Sequence, residues 1–209
     1  MAQCVVASGN QKKLRELSTL LVPFGYETVS QAELGISPPP EPHPTFVENA
    51  LVKARHASAL SGLPAIADDS GICVRVLGGA PGVYSARYAE RAGAGSGDAD
   101  NNAHLMAELL AKPGSETGHG AYYVAVLVWL EHADDPLPVV AQGLWHGLVV
   151  SEPAGEGGFG YDPHFYLPSL GKTAAQLSAA EKNAISHRGQ AMTLLREQLQ
   201  ARFRSVQAS

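Results

Sequence analysis

Short unbroken apolar runs alternate along this chain with longer stretches of helical period. "QCVVAS" at 3–8 is apolar and breaks at Gly9-Asn10, the pattern of a buried strand feeding a turn. In "QKKLRELSTLLVPFG", Leu14, Leu17, Leu20 and Leu21 fall on one helical face, and Pro23 with Gly25 ends the helix. A short strand near 27–30 leads into the Pro-rich "GISPPPEPHP". Thr45 and Glu48 have capping-box spacing, which predicts a helix running to about Leu60 and stopping before Gly62. "PAIADD" then reads as a strand ending at its acidic pair, the Ser70-Gly71 that follows as a turn, and "GICVRVL" as another strand.

The Gly- and Pro-rich "GGAPGVYSARYAE" predicts an irregular functional loop, and "GAGSGD" at 93–98 a flexible surface connection. Asp98 is placed to cap a helix through about Leu110. "AYYVAVLVWLEH" and "LPVVAQGLWHGLVVS", joined by "ADDP", predict an antiparallel pair. "EPAGEGGFGYDPHFY" is a second Gly-rich loop. Ser178 and Glu181 repeat the capping-box spacing, and a last amphipathic helix is expected from about Ser186 to Phe203. Helices alternating with strands early, and a hairpin late, predict an α/β fold: a central mixed twisted sheet with flanking helices.

Composition narrows the function classes. The 209 residues fit one domain, 1–209, able to bury a core without staples. A net charge of −5 disfavours a nucleic-acid partner, which needs a basic surface, but leaves room for a small anion held by local lysines. Cys4 and Cys73 lie inside apolar runs and read as buried, reduced strand residues. "MAQCVVASGN" has neither a basic start nor a long apolar core, and no stretch reaches the roughly 20 apolar residues a membrane helix needs. The expectation is a cytoplasmic protein with no membrane partner.

Four segments carry candidate chemistry. In "SGNQKK", a strand, a turn and a helix start make a natural anion site: Ser8, Gly9 and Asn10 supply donors, and Lys12 or Lys13 a full charge. No Walker motif GxxxxGK[ST] occurs. Asp68 and Asp69 are adjacent acids whose repulsion asks for a metal ion, a lysine or arginine, or a shared proton; carboxylates here suit Mg²⁺. In "GGFGYDP", glycines permit close approach while Phe159 and Tyr161 offer faces for stacking. In "EKNAISHRG", Lys182, His187 and Arg188 gather charge and donors at a helix junction. Each segment also has a plain reading as turn or solvated surface. Together they form the inventory of a nucleoside triphosphate site.

These segments, with "TFVENALVKARHA" and "AIADDSGICVRVLGGAPGVYSARYA", resemble the inosine/xanthosine triphosphate pyrophosphatases, in order and over nearly the whole chain. The resemblance implies homodimers with a long central sheet and an active-site cleft between two lobes. It implies a phosphate loop from Ser8 to Lys13, a triphosphate lysine at Lys53 and a substrate contact at Ser70. It makes Asp69 the general base and a Mg²⁺ ligand, with Asp68 and Glu41 as further metal ligands. It gives Phe159, Gly160, Tyr161 and Asp162 to the nucleoside loop, and Lys182, His187 and Arg188 to reading the base. The implied reaction converts ITP, dITP or XTP to the monophosphate and pyrophosphate. A pyrophosphatase for another modified nucleotide, as in Maf-like proteins, and a non-catalytic nucleotide-binding regulator are the competing readings.

Overall fold

The computed structural model describes residues 1–114 and 117–207; the Lys12 side chain lies outside what is described. Among the described residues, seven strands form one mixed sheet in the order β2-β1-β3-β4-β5-β6-β7. The strands are β1 Ala2–Ala7, β2 Tyr26–Ser30, β3 Ala65–Val74, β4 His119–Leu130, β5 Val139–Val149, β6 Phe165–Leu167 and β7 Lys172–Thr173. The helices are α1 Gln11–Leu21, α2 Phe46–Ser61, the single turn α3 Tyr88–Arg91, α4 Asp98–Leu110, α5 Ala179–Ile185 and α6 His187–Gln207. The α/β class expected from the alternation of runs is therefore the one observed. No helix among the described residues is long and apolar enough to cross a membrane.

The chain divides into two compact units. The first comprises Met1–Asp69, Ala125–Gly143 and the chain from Gln190 onward. In it, β1 pairs in parallel with β2 on one side and with β3 on the other. The predicted leucine stripe of α1 is its packing face: Leu17, Leu20 and Leu21 are buried against Val6, Ile66 and Leu127, with Leu195 and Leu199 of α6. Each such leucine contributes about 2 kcal/mol by leaving water. Thr45 caps α2 by accepting from the Glu48 N–H at 3.3 Å, as its spacing predicts.

The second unit comprises Ser70–Val124 and Leu144–Gly189. Its core gathers Ile72, Val74, Leu105, Leu109, Trp145 and Phe165. Both arms of the capping box at Ser178 and Glu181 are formed at the start of α5. Cys4 and Cys73 are buried free thiols, and burial pushes Cys4 up to about 12, so neither supplies a thiolate near neutral pH.

Three local expectations are corrected. The segment "ADDSGICV" contains no turn: Asp68 to Gly71 lie inside the single strand β3. Its composition favours a turn, but the strand runs on past its last β1 pair at Ala67, beside β4 and with buried apolar residues on either side. Asp98 does not cap α4, whose cap position is Gly97; its carboxylate is engaged elsewhere. The segment "GGAPGVYSARYAE" is built largely of 3-10 turns and the short α3, rather than being irregular throughout.

Candidate active site

Two strand rules place the acids. Successive side chains in a strand point to opposite faces, so Asp68 and Asp69 do not crowd each other. Parallel crossovers are right-handed, and the chain moves from β1 to β2 and then back across β1 to β3. The reversal places α1 and α2 on opposite faces of the sheet. Each acid accordingly meets a lysine from a different helix. Lys13 of α1 lies with its Nζ 2.6 Å from Asp68 Oδ2. Lys53 of α2 donates to Asp69 Oδ1 at 3.0 Å. Of the three ways to relieve repulsion between the acids, the one observed among the described residues is separation onto two faces, with a lysine beside each acid.

The register fixes where along the sheet this happens. Ala7, the last residue of β1, pairs with Ala67, so the acids stand just beyond the carboxyl end of β1. With β2 on one side of β1 and β3 on the other, this is the point where the strand order switches. Ligands of open α/β sheets bind at such points. The loop Ser8-Gly9-Asn10 leaves β1 there. Asn10 caps α1, its side-chain oxygen accepting from the Lys13 N–H at 3.2 Å. Ser8 Oγ accepts from the Asn10 N–H at 3.2 Å, which tightens the turn.

Glu41, marked by nothing in its own neighbourhood, joins this cluster. Its Oε1 lies 3.7 Å from Lys53 Nζ. Asp69 is 8% exposed, and burial raises its carboxyl above the ordinary aspartate range. Lys53 opposes that shift; Glu41 and Asp68 add to it. Among the described residues no group of three or more His, Cys, Asp or Glu gathers as a metal cage. Asp69 Oδ2 is nevertheless a buried carboxylate oxygen with no hydrogen-bond partner among them. A hard cation such as Mg²⁺ takes one or two carboxylates and fills its other positions with water and phosphate. The donor set fits that demand through Asp69, with Glu41 across Lys53. Asp68 pairs with Lys13 on the other face.

In the second unit, the predicted nucleoside loop is organised around Asp162, which is 2% exposed. Its Oδ2 accepts from the Phe159 N–H at 2.8 Å and pairs with Lys182; its Oδ1 accepts from the Tyr123 hydroxyl at 3.3 Å. Asp162 is thus a tie inside the loop. Gly158, at φ 79°, is required there, because a Cβ would lie 2.0 Å from Asp162 Oδ2. The two aromatic residues separate in role. Phe159 is 63% exposed, with Lys182 Nζ 4.9 Å from its ring centroid. Tyr161 is 4% exposed and donates its hydroxyl to the Ser85 carbonyl at 2.8 Å, so it offers no face for stacking. Of the two stacking candidates, only Phe159 presents a ring.

His187 and Arg188 open α6 and are half-buried. The imidazole stacks on Tyr123 at 4.7 Å and 9° between planes, and on Trp145 at 6.2 Å and 20°. Ser70, in β3, is also half-buried. Several contributors went unread in the sequence. Asp98 Oδ2 accepts from the Gly160 N–H at 2.6 Å, and Asn102 Nδ2 donates to the Gly160 carbonyl at 2.8 Å. One turn of α4 therefore grips both sides of that residue, and Tyr123 ties Asp162 to the His187 ring. The sequence marks Asp98 only as a helix cap, a different role.

Residues 4–198 match the model of the Ham1 family. The dITP/XTP pyrophosphatase of Ralstonia nicotianae is 60% identical over 199 residues, covering 95% of this chain and 97% of that protein. That of Nitrosomonas europaea is 54% identical over 199 residues, covering 95% of each chain. Among solved structures, a HAM1 protein from Coxiella burnetii superposes with a TM-score of 0.89 at 43% identity, covering 96% of this chain and all of that one. The nucleoside-triphosphatase / dITP/XTP pyrophosphatase of Mycobacterium abscessus gives 0.76 at 40% identity, covering 92% and 97%.

Proposed function

The chain belongs to the Ham1 family, and from that premise we propose that it hydrolyses deaminated purine nucleoside triphosphates, ITP, dITP and XTP, to the monophosphate and pyrophosphate, clearing them from the nucleotide pool. The observation that carries the reading is the buried Asp69, one oxygen on Lys53 and the other without a hydrogen-bond partner among the described residues, at the switch point of the sheet. It is the arrangement of a carboxylate kept ready for a water or a cation.

Phosphoryl transfer is mostly positioning and charge neutralisation. Asp69 orients the attacking water, or takes its proton, for attack at the α-phosphorus. Lys53, together with the donors of Ser8 to Lys13, offsets charge on the departing pyrophosphate. Asp69, with Glu41 nearby, would hold Mg²⁺; when bound, the ion neutralises phosphate charge and acidifies a coordinated water.

Phe159 supplies the ring for the purine, and Lys182 stiffens the loop beneath it. His187 and Arg188 are the donors we assign to the 6-oxo group. Hypoxanthine and xanthine carry that oxygen with an N1–H, whereas adenine reverses both. A site built for the oxo edge leaves its own polar groups unpaired with adenine, a penalty worth roughly 10⁴-fold. In this reading the chain works as a single pyrophosphatase domain, pairs with a second copy and acts in the cytoplasm, where its substrates arise.

A substrate panel tests it. With Mg²⁺, pyrophosphate release is expected from ITP, dITP and XTP far above that from GTP or ATP. Arg188→Ala should lower ITP turnover much more than thermal stability. Equal turnover of ATP, or phosphate release with a diphosphate product, would overturn the proposal.

A further inference from the structure

Lys53 occupies an unusual place. Its ammonium lies 3.0 Å from Asp69 Oδ1 and 3.7 Å from Glu41 Oε1, so one positive charge serves two carboxylates. All three side chains are largely buried: 12% exposed for Lys53, 11% for Asp69 and 25% for Glu41. Burial of this degree weakens the screening that solvent gives an arriving charge.

A dication entering alone meets the carboxylate it needs already holding an ammonium. Like charges at that distance repel strongly where screening is weak. A triphosphate entering alone meets two carboxylates whose one shared countercharge is already engaged. Each ligand is therefore disfavoured without the other. Arriving together, they permit an exchange. The ammonium turns from Asp69 to phosphate oxygens, and the freed carboxylate turns to the cation. A lysine can make that move, because its compact charge rides on a flexible four-carbon stem and its three donors have no fixed plane.

We propose that Lys53 is an exchangeable counterion that makes metal and triphosphate bind as one unit. The inference rests on the functional reading above and goes beyond it, since a lysine serving only the phosphates would leave metal affinity indifferent to its removal. Coupling of this kind is reciprocal: each ligand raises affinity for the other by the same factor, typically about 5- to 150-fold. It keeps the metal off a site that has no substrate. Without Lys53, Asp69 and Glu41 are left uncompensated and attract a dication by themselves, and the coupling falls to what direct contact between cation and phosphate supplies.

The test uses calorimetry on the full chain, with Mn²⁺ as the metal and the non-hydrolysable α,β-methylene analogue of ITP. The wild-type protein should bind Mn²⁺ alone weakly, and Lys53→Met should bind it at least about tenfold more tightly. The wild type should bind the analogue at least about tenfold more tightly with Mn²⁺ than in EDTA, and that ratio should fall several-fold in Lys53→Met. Lys53→Gln, with a neutral polar side chain, is measured in parallel. Thermal melts of both variants report folding; if neither folds, tight binding of Mn²⁺ to the wild type alone still overturns the exchange. Tight binding of Mn²⁺ to the wild type alone, or an unchanged ratio in the variants, overturns the exchange. Failure of the analogue to bind the wild type even with Mn²⁺ would instead sink the nucleotide reading, and the Mn²⁺ comparison would still judge the counterion.

Discussion

Asp69→Asn is expected to reduce ITP hydrolysis by about 10² to 10⁴-fold while leaving the protein at least as stable at neutral pH. The substitution keeps shape and volume and removes one charge. In the proposed role that charge is the reactive feature, since a base, or a cation ligand, must be anionic. The stability half follows from linkage. Burial raises the Asp69 carboxyl above the ordinary aspartate range, with Lys53 opposing and Glu41 and Asp68 adding to the shift. A carboxyl that is harder to ionise when folded binds more protons in the folded state. Stability therefore falls as pH rises from the ordinary aspartate range through the raised value. Above that window the ionised carboxylate weighs against folding, and asparagine removes the weight. Steady-state rates and calorimetric melting at pH 7 and pH 4 check both halves. The variant's advantage in melting temperature should shrink at the lower pH. A melting temperature that falls in step with activity would mark Asp69 as structural.

Gly189→Ala is expected to be nearly as damaging from a position that touches no substrate. A Cβ at Gly189 would stand 1.8 Å from the Asn183 carbonyl oxygen and 3.0 Å from its carbon. Both are backbone atoms of α5, so no side chain can swing aside. The first turn of α6 must move away from α5, or α5 must unwind at its end. Ser186, whose hydroxyl accepts from the Gly189 N–H at 3.3 Å, sits at that joint, with His187 and Arg188 beside it. Forced overpacking of this kind costs about 1–3 kcal/mol. Because the displaced residues are those assigned to the purine edge, the preference for ITP over ATP should fall along with melting temperature. Wild-type values for both, measured as kcat/KM on the two nucleotides and as a thermal melt, would contradict the packing described.

Much of the fold was readable because its elements are governed locally. The leucine spacing of α1, the capping pairs at Thr45 and Ser178, and the long apolar runs of β4 and β5 each carry their instruction within a few residues. β3 was misread for the same reason. Asp-Asp-Ser-Gly has a turn's composition, but it lies past the last β1 pair at Ala67, inside a strand that continues beside β4. The strands β6 and β7, at 3 and 2 residues, are too short to show a period.

The site divides along the same line. Lys53, Asp69 and the Gly-rich loop could be singled out in the sequence because their motifs are local and resemble a known family. The pairing of each acid with its own lysine depends on the crossover connections. The grip of Asp98 and Asn102 on Gly160 spans 62 and 58 positions of sequence. The inward turn of Tyr161 and the outward turn of Phe159 depend on how the second core packs, which no two-residue spacing reveals.

The proposed attack of water on the α-phosphorus at the Asp69 carboxylate leaves an isotopic signature. Hydrolysis of ITP in ¹⁸O-enriched water, followed by ³¹P spectroscopy, tests it most directly. The label should appear in inosine monophosphate, with unlabelled pyrophosphate beside it. Label in pyrophosphate would move the attack to the β-phosphorus, and label in inorganic phosphate to the γ-phosphorus; either would contradict the account.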